Sequence, residues 1–182
     1  MADEGSPVYE ARFGWDRKTA WTVALTAVFT ACLLLPDIPL YARLLGLPLF
    51  GGGGLFMAYS AMSHKVALRV DETGVLLGGN PARYESTTAQ VPWEDIAAVV
   101  LWRQHSAASI PYVGLALHRH AALPPGSSQG RVARATLRML VPHLPADVVP
   151  ASRPVSGWRL DKDRLTAAVA HFAPTIPVVD AG

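Results

Sequence analysis

The chain contains 182 residues, of which 51% are apolar and 16% are charged, and its formal net charge is +2. This length leaves room for a membrane segment and one soluble domain of about 115 residues, but not for a second soluble domain. The weak basic excess argues against nucleic acid as a partner, because nucleic-acid-binding proteins concentrate positive charge on one face. The single cysteine, Cys32, excludes an intramolecular disulfide and a cysteine-based zinc cluster.

Residues 1–18 are polar and carry mixed charges, and they are predicted to form a loose tail on the cytoplasmic side. The apolar region that follows begins late and after an acidic leader, which argues against a cleavable signal peptide. The tail ends in aromatic and cationic residues, Trp15, Arg17 and Lys18, with Trp21 close behind. This composition is typical of a membrane–water interface.

Two apolar segments occupy residues 19–62 and are separated by the turn Pro36-Asp37-Ile38-Pro39. As a helix, the uncharged residues 20–35 would span roughly 25 Å at 1.5 Å per residue, which is short but adequate for a hydrocarbon core. The second segment covers residues 40–62. We therefore predict a two-helix transmembrane hairpin. The glycine run at residues 51–54 has no lysine beside it, unlike a phosphate-binding loop.

The charges that flank the hairpin predict that both termini are cytoplasmic and that the protein lies in the cell membrane, which it crosses twice. Only Arg43 lies near the intervening turn, whereas five cations stand at the other ends of the two helices: Arg12, Arg17, Lys18, Lys65 and Arg69. Four of them are predicted to contact an anionic membrane surface, each gaining about 1 kcal/mol. These four are Arg17, Lys18, Lys65 and Arg69.

Small residues are predicted to let the two helices of the hairpin approach each other closely. Four alanines of the first helix fall within one stripe about 60° wide, and Thr22, Thr26 and Thr30 form a second stripe. In the second helix, Gly54 and Ala58 have the spacing of a small-residue contact. The predicted packing residues are Ala20, Ala24, Ala27, Ala31, Gly54 and Ala58.

Residues 63–182 are predicted to form one cytoplasmic α+β domain, because the apolar period changes to two after the hairpin. Strands are predicted over residues 65–71 and 75–77, joined by the turn Asp71-Glu72-Thr73-Gly74. Further strands are predicted over residues 97–102 and 112–118.

The rest of this domain contains loops, one ambiguous segment and a final helix. Residues 78–86 and 121–130 have the composition of loops. Residues 131–144 fit either an alternating strand or a short helix, of which we favour the helix, and residues 147–149 suggest a last strand. Asp161 is the predicted N-cap of a C-terminal amphipathic helix that ends before Pro174. The predicted buried face of this helix consists of Leu165, Ala168, Val169 and Phe172.

Three stretches carry a resemblance to a known family: Val70-Asp71-Glu72-Thr73-Gly74-Val75, Val91-Pro92-Trp93-Glu94-Asp95-Ile96, and residues 158–179. In the order of their elements, residues 64–180 resemble the bacterial pleckstrin-homology-like (PH-like) domains that lie beside one or two membrane helices. The resemblance implies a bent antiparallel sheet or open barrel, capped by the last helix, and it brings no catalytic residues. In the lipid-binding branch of this superfamily, basic residues around the first hairpin grip phosphoinositide headgroups, but here that hairpin turns through Asp71 and Glu72.

No constellation of residues predicts catalysis, a metal or a cofactor. His118 and His120 share one face of a continuing strand, but a zinc site needs a third and usually a fourth donor. His105 and Ser106 are neighbours in sequence without the G-x-S-x-G motif of a serine nucleophile. The sequence therefore predicts a protein that is not an enzyme and holds no cofactor.

We expect a membrane-anchored PH-like module that binds or scaffolds a membrane-associated protein, a peptide or a lipid. A free sheet edge offers one route to peptide binding, by addition of a strand. The alternative is a structural subunit that assembles a membrane complex through its transmembrane helices. The expected partners are the lipid bilayer and a membrane-associated protein, and association between copies of this chain is left open.

Overall fold

The computed structural model describes residues 7–103, 110–125 and 151–181. Its helices are α1 (Arg17–Leu33), α2 (Leu40–Met62), the short α3 (Tyr84–Thr87) and α4 (Lys162–Phe172). Its strands are β1 (Tyr9–Arg12), β2 (Val66–Asp71), β3 (Gly74–Leu77), β4 (Ala89–Val91), β5 (Ile96–Arg103), β6 (Pro111–Leu117), β7 (Ser152–Pro154) and β8 (Val178–Asp180).

The strands form two bent four-stranded sheets, which confirms the prediction of an α+β fold. The first sheet has the order β1-β2-β3-β4 and is antiparallel throughout. In the second, β7, β6 and β5 are antiparallel neighbours, and β8 runs parallel to β5 at the edge. Side chains alternate along β5, so Val99 and Leu101 enter the main core while Val100 and Trp102 pack with Tyr112 on the opposite face.

The predicted hairpin of β2 and β3 is confirmed, with Asp71 opposite Gly74 at its end. The carboxylate of Asp71 accepts hydrogen bonds from the backbone N–H of Thr73 at 2.9 Å and from its hydroxyl at 2.6 Å. Gly74 has a φ of 136°, and a Cβ built there would lie 2.1 Å from the carbonyl oxygen of Val91. The turn therefore requires glycine at this position.

The predicted C-terminal helix is confirmed as α4. The carboxylate of Asp161 caps it by accepting a hydrogen bond from the N–H of Arg164 at 3.0 Å. Leu165, Ala168 and Val169 are buried in the main core. Through this face α4 packs against β1 and β2 of the first sheet.

The prediction of a loose N-terminal tail is wrong for residues 9–12, which form β1 and pair with β2. Tyr9 and Ala11 are buried in the core, and the hydroxyl of Tyr9 accepts a hydrogen bond from the N–H of Asp161 at 3.0 Å. This burial, which outweighs the effect of that hydrogen bond, raises the pKa of Tyr9. The sheet domain therefore begins before the helical hairpin, and residues 17–62 are an insertion between two adjacent strands.

The helical hairpin consists of α1, a turn and α2. Asp16 caps α1 by accepting a hydrogen bond from the N–H of Thr19 at 2.6 Å. In α2, residues Leu47–Gly52 form a π-helical segment that contains Pro48, which lacks the N–H needed for a regular helical bond. Of the described helices, α2 is the one long and apolar enough to cross a membrane, whereas α1 has 17 residues.

The predicted packing of the alanine stripe against the second helix is wrong. Ala20, Ala24, Ala27 and Ala31 are all exposed. The threonine stripe faces α2 instead: a Cβ built on Gly54 would lie 2.5 Å from Oγ1 of Thr26, and one built on Gly51 would lie 3.5 Å from Cγ2 of Thr30. Both threonine hydroxyls donate to carbonyls of their own helix, at 2.8 and 2.7 Å, so no unpaired polar group opposes the contact. Gly54 is buried and Ala58 is half-buried.

Of the remaining predictions, one is only partly correct and three fall outside the described residues. The predicted loop at residues 78–86 contains a 3₁₀ turn, Pro81–Arg83, and most of α3. The predicted helix at residues 131–144 and strand at residues 147–149 lie outside the described residues, as does the pair His105 and Ser106.

Candidate functional site

A cavity of about 540 Å³ lies where the base of the helical hairpin meets the two sheets. We call it the junction cavity. Its hairpin wall includes Thr19, Phe56, Met57 and Ser60, and Phe13 stands just ahead of the hairpin. Its sheet wall includes Ala67, Gly78, Gly79, Asn80, Pro81, Arg83, Thr87, Arg153, Pro154, Ser156, Gly157 and Trp158.

Backbone hydrogen bonds fix the hairpin wall relative to the sheets. The N–H of Phe13 donates to the carbonyl of Lys65 at 2.9 Å, and the N–H of Gly14 donates to the carbonyl of Gly157 at 2.9 Å. The start of α1 is held by the cap between Asp16 and Thr19. That hydrogen bond, from the backbone N–H of Thr19, lowers the pKa of the Asp16 carboxyl. The cavity therefore has a defined wall on the hairpin side.

The sheet wall depends on two glycines that follow β3. A Cβ built on Gly78 would lie 2.2 Å from the carbonyl oxygen of Val66, and one built on Gly79 would lie 2.0 Å from Oγ1 of Thr87. The hydroxyl of Thr87 also accepts a hydrogen bond from the N–H of Asn80 at 2.8 Å. The backbone must therefore pass close to its neighbours here, which only glycine permits.

Arg153 is half-buried in the cavity wall and binds carbonyl groups from three segments. Its Nη2 donates to the carbonyls of Thr87 at 3.2 Å and Pro125 at 2.7 Å, and its Nη1 donates to that of Ser152 at 3.2 Å. Burial lowers the pKa of the Arg153 guanidinium, because removal from water disfavours a charge. Among the described residues, no carboxylate lies within ion-pair distance of it.

The charged side chains that line the junction cavity in the described part of the chain are all cationic. Its lining contains two ionisable side chains, Arg83 and Arg153, and no aspartate or glutamate from the described part of the chain. Arg83 is exposed, and its guanidinium takes part in none of the hydrogen bonds or ion pairs found among the described residues. Phe13, Phe56 and Trp158 give the remainder of the lining an apolar character. The arrangement suits a ligand with one apolar and one anionic part.

The four cations predicted to contact the membrane surface lie outside this cavity. Arg17 and Lys18 are exposed at the start of α1. Nζ of Lys65 donates to the carbonyl of Pro81 at 2.8 Å and lies 5.2 Å from the ring centroid of Tyr84. Arg69 forms an ion pair with Asp71 at 2.9 Å. Lys65 and Arg69 therefore have partners within the chain, whereas Arg17 and Lys18 extend into the surroundings.

His118 and His120 come together, but not on a strand face as predicted, because β6 ends at Leu117 and the two histidines lie in the turn that follows. Their rings stack with centroids 5.6 Å apart, and Nε2 of His120 lies 3.6 Å from Oδ1 of Asp95. The described residues contain no group of three or more histidine, cysteine, aspartate or glutamate side chains that could hold a metal ion.

The junction cavity was missed in the sequence because its lining comes from separate segments. The composition of Gly78-Gly79-Asn80-Pro81 predicts only a loop, and nothing in the string Ser152-Arg153-Pro154 indicates that its arginine is half-buried. A comparison of the chain with protein-family models, with curated proteins and with solved structures finds no match. The proposed function therefore rests on the residues of the junction cavity and the helical hairpin and on their geometry.

Proposed function

We propose that this chain is a membrane-anchored, non-catalytic binding protein with a PH-like domain, and that its ligand site is the junction cavity. In this proposal both helices of the hairpin cross the cell membrane and the sheet domain lies in the cytoplasm. The junction cavity then stands at the cytoplasmic surface of the bilayer, within reach of membrane lipids and of membrane-associated proteins.

The observation that carries the proposal is the apolar surface of the hairpin. Apart from Leu123 and Val179, the strongly exposed large apolar side chains of the described residues all lie between Trp15 and Met62. A contiguous apolar surface of this kind needs a partner or a lipid environment. The 23 residues of α2 are long enough to span a bilayer, and the 17 residues of α1 would reach roughly 25 Å at 1.5 Å per residue.

The order of the elements supports a PH-like domain. A four-stranded antiparallel sheet is followed by β5, β6 and β7, which are also antiparallel, and by one amphipathic helix. That helix, α4, covers the core beside β1 and β2. The insertion of the hairpin between β1 and β2 ties it to the sheet at both ends, so the domain would be held against the membrane surface.

The size of the junction cavity indicates the scale of its ligand. Its volume of about 540 Å³ falls within the range of roughly 300–1,000 Å³ typical of sites for small molecules. It is too small for a folded protein. A lipid that inserts one end into the cavity fits both its size and the proposed place at the bilayer.

A labelling experiment tests the membrane anchor. Cys32→Ser removes the one cysteine of the chain, and in that background Asp37→Cys marks the turn between α1 and α2 while Asp163→Cys marks the exposed side of α4. In intact cells, a membrane-impermeant maleimide should label the Asp37→Cys variant but label the Asp163→Cys variant only after lysis. The reverse pattern, or release of the protein by alkaline washing, would overturn the anchor.

A cavity-filling pair tests the ligand site. Ser60→Phe should occupy the junction cavity, whereas Ser86→Phe adds the same side chain to an exposed position of α3 away from the cavity lining. Native mass spectrometry of the full-length protein in mild detergent should detect a bound small molecule in the wild type and in Ser86→Phe but not in Ser60→Phe. Equal occupancy in all three proteins would show that the ligand binds elsewhere.

One observation favours the alternative, an assembly subunit that acts through its helices. The alanine stripe of α1 faces away from α2 and is exposed, so a neighbouring membrane helix could approach it closely. If assembly is the function, Ala24→Leu should abolish chemical cross-linking of the full-length protein to itself or to a membrane partner. Under the binding proposal, the same variant retains the ligand of the junction cavity.

A further inference from the structure

The junction cavity contains cationic charge that the described chain leaves without a counter-charge. Arg153 donates to backbone carbonyls, which are neutral, and Arg83 has no acceptor among the described residues. The residues around Arg153 come from β7, from α3 and from the segment after β6. The fold thus holds a guanidinium at the wall of a cavity by bonds to neutral carbonyls, and the residues that the structure describes supply no carboxylate to compensate its charge.

A half-buried cation such as Arg153 loses part of its hydration, and neutral acceptors replace that hydration only in part. An anion that enters the cavity would offset this cost and would accept charge-assisted hydrogen bonds. A guanidinium has five N–H donors, and the three hydrogen bonds of Arg153 use only its Nη1 and Nη2 atoms. Arg153 therefore retains donor capacity for a ligand.

The apolar lining narrows the class of anion. Phe56 and Met57 belong to α2, and Phe13 and Trp158 complete an apolar surface beside the two arginines. A soluble anion such as inorganic phosphate would leave this surface unused. A lipid would place its phosphate on the arginines and its glycerol and upper acyl chains against the aromatic side chains.

We propose that the junction cavity binds the phosphate group of an anionic membrane lipid, held by Arg153 and Arg83. This inference rests on the proposed function, because the lipid must enter from a bilayer in which the hairpin is embedded. The site differs from the turn of β2 and β3, where Asp71 and Glu72 oppose an anion. It uses guanidinium groups from β7 and from the Pro81–Arg83 turn instead.

The test compares lipids on the full-length protein in mild detergent. Phosphatidylglycerol, phosphatidylcholine and inorganic phosphate are titrated separately, and the bound species are counted by native mass spectrometry. We expect one phosphatidylglycerol per chain, bound about tenfold or more tightly than phosphatidylcholine. Both lipids carry a phosphate, but the trimethylammonium group of phosphatidylcholine would bring a positive charge beside Arg83 and Arg153. Inorganic phosphate should neither bind measurably nor displace the lipid.

Three variants identify the groups responsible. Arg83→Met removes an exposed guanidinium that bonds none of the other described residues, so the variant should fold normally and weaken phosphatidylglycerol binding severalfold. Arg153→Lys keeps the charge but loses the guanidinium geometry, and it should weaken binding about tenfold. Arg119→Met removes an exposed cation just after β6, outside the cavity lining, and should leave the affinity unchanged.

The outcomes separate the two proposals. If phosphatidylcholine binds as tightly as phosphatidylglycerol and Ser60→Phe abolishes both, the cavity is a lipid site but the anion inference is wrong. An equal loss of affinity in Arg119→Met and Arg83→Met would mean diffuse surface attraction and would also overturn the inference. Binding of inorganic phosphate in competition with the lipid would exclude the lipid as its specific ligand. If neither lipid binds, both this inference and the lipid ligand of the proposed function fail.

Discussion

Thr26 and Gly54 lie so close across the helical hairpin that a Cβ atom built on Gly54 would stand 2.5 Å from Oγ1 of Thr26 and 3.1 Å from its Cβ. The threonine hydroxyl is already bonded to the carbonyl of Val23 at 2.8 Å, so it cannot rotate away freely. We expect Gly54→Ala to push α1 and α2 apart and to lower the free energy of unfolding by about 1–3 kcal/mol. Chemical unfolding of the full-length protein in detergent micelles measures this change.

The neighbouring glycine provides the control for that substitution. A Cβ built on Gly53 meets nothing within 4 Å, so Gly53→Ala should leave the hairpin contact intact. Alanine favours a helix over glycine by about 1 kcal/mol in water, and we expect this variant to be neutral or more stable. If both variants behave alike, the close approach of the helices at Gly54 is wrong.

Local periodicity was sufficient to predict the elements whose own residues repeat apolar side chains at the spacing of a strand or a helix. The alternation of Val66, Leu68 and Val70 predicted β2, and the helical spacing that begins at Leu165 predicted α4. It did not predict β1, because Tyr9–Arg12 is short and half polar, and its partner strand lies beyond the entire helical hairpin. Only the assembled sheet shows why Tyr9 is buried.

The packing face of α1 and the junction cavity could not be predicted from local patterns. Alanine and threonine stripes are both narrow and composed of small residues, so spacing alone does not decide which one faces α2. The decision depends on Gly54, which fits against Thr26. The cavity depends on Arg153, whose three carbonyl partners are distributed over the chain and have no sequence signature. The charge of Arg153 indicates an anion site only together with these neutral partners in the folded structure.

His64 occupies the left-handed region with a φ of 49°, between the end of α2 and the start of β2. This conformation costs a residue with a Cβ roughly 1–2 kcal/mol. We therefore expect His64→Gly to raise the free energy of unfolding by about 1 kcal/mol, as measured by chemical unfolding. His64→Ala is the control, since it removes the imidazole but keeps the strain, and it should give no increase. A gain in both variants would assign the effect to the imidazole instead.

Asp71 should make the stability of the sheet domain depend on pH. Burial alone would raise the pKa of its carboxyl, but hydrogen bonds from Thr73 and the charge of Arg69 together hold that pKa below its ordinary value. A carboxylate with a lowered folded-state pKa contributes stability above the unfolded pKa of about 4, and this contribution is lost as the pH falls through the folded-state value. Asp71→Asn should therefore be less stable than the wild type at pH 7.

The decisive measurement compares the free energies of unfolding of the wild type and Asp71→Asn as the pH is lowered. The free energies of unfolding of wild type and Asp71→Asn should converge as the pH falls below about 4, because the wild-type carboxyl is then becoming protonated. Glu72→Gln alters an exposed neighbour in the same turn, and its difference from the wild type should stay small at every pH. A difference between wild type and Asp71→Asn that does not change with pH would mean that the carboxylate charge is not involved.

Arg43 ties the far end of the hairpin together. Its Nη2 donates to the carbonyls of Leu35 at 2.5 Å and Pro36 at 3.0 Å, in the turn just beyond the end of α1. The Leu35 carbonyl also accepts a longer hydrogen bond from the N–H of Ile38 at 3.3 Å. Arg43→Met leaves these carbonyls without the donor, and we expect a loss of about 1.5–3 kcal/mol in the unfolding free energy of the full-length protein in micelles. Arg43→Lys retains a cation and should recover part of the loss, because an ammonium can bond a carbonyl but lacks the planar fork.

If Arg43→Met unfolds at the same denaturant concentration as the wild type, these hydrogen bonds do not hold the turn. If Arg43→Lys is as unstable as Arg43→Met, a cation alone cannot replace the guanidinium there.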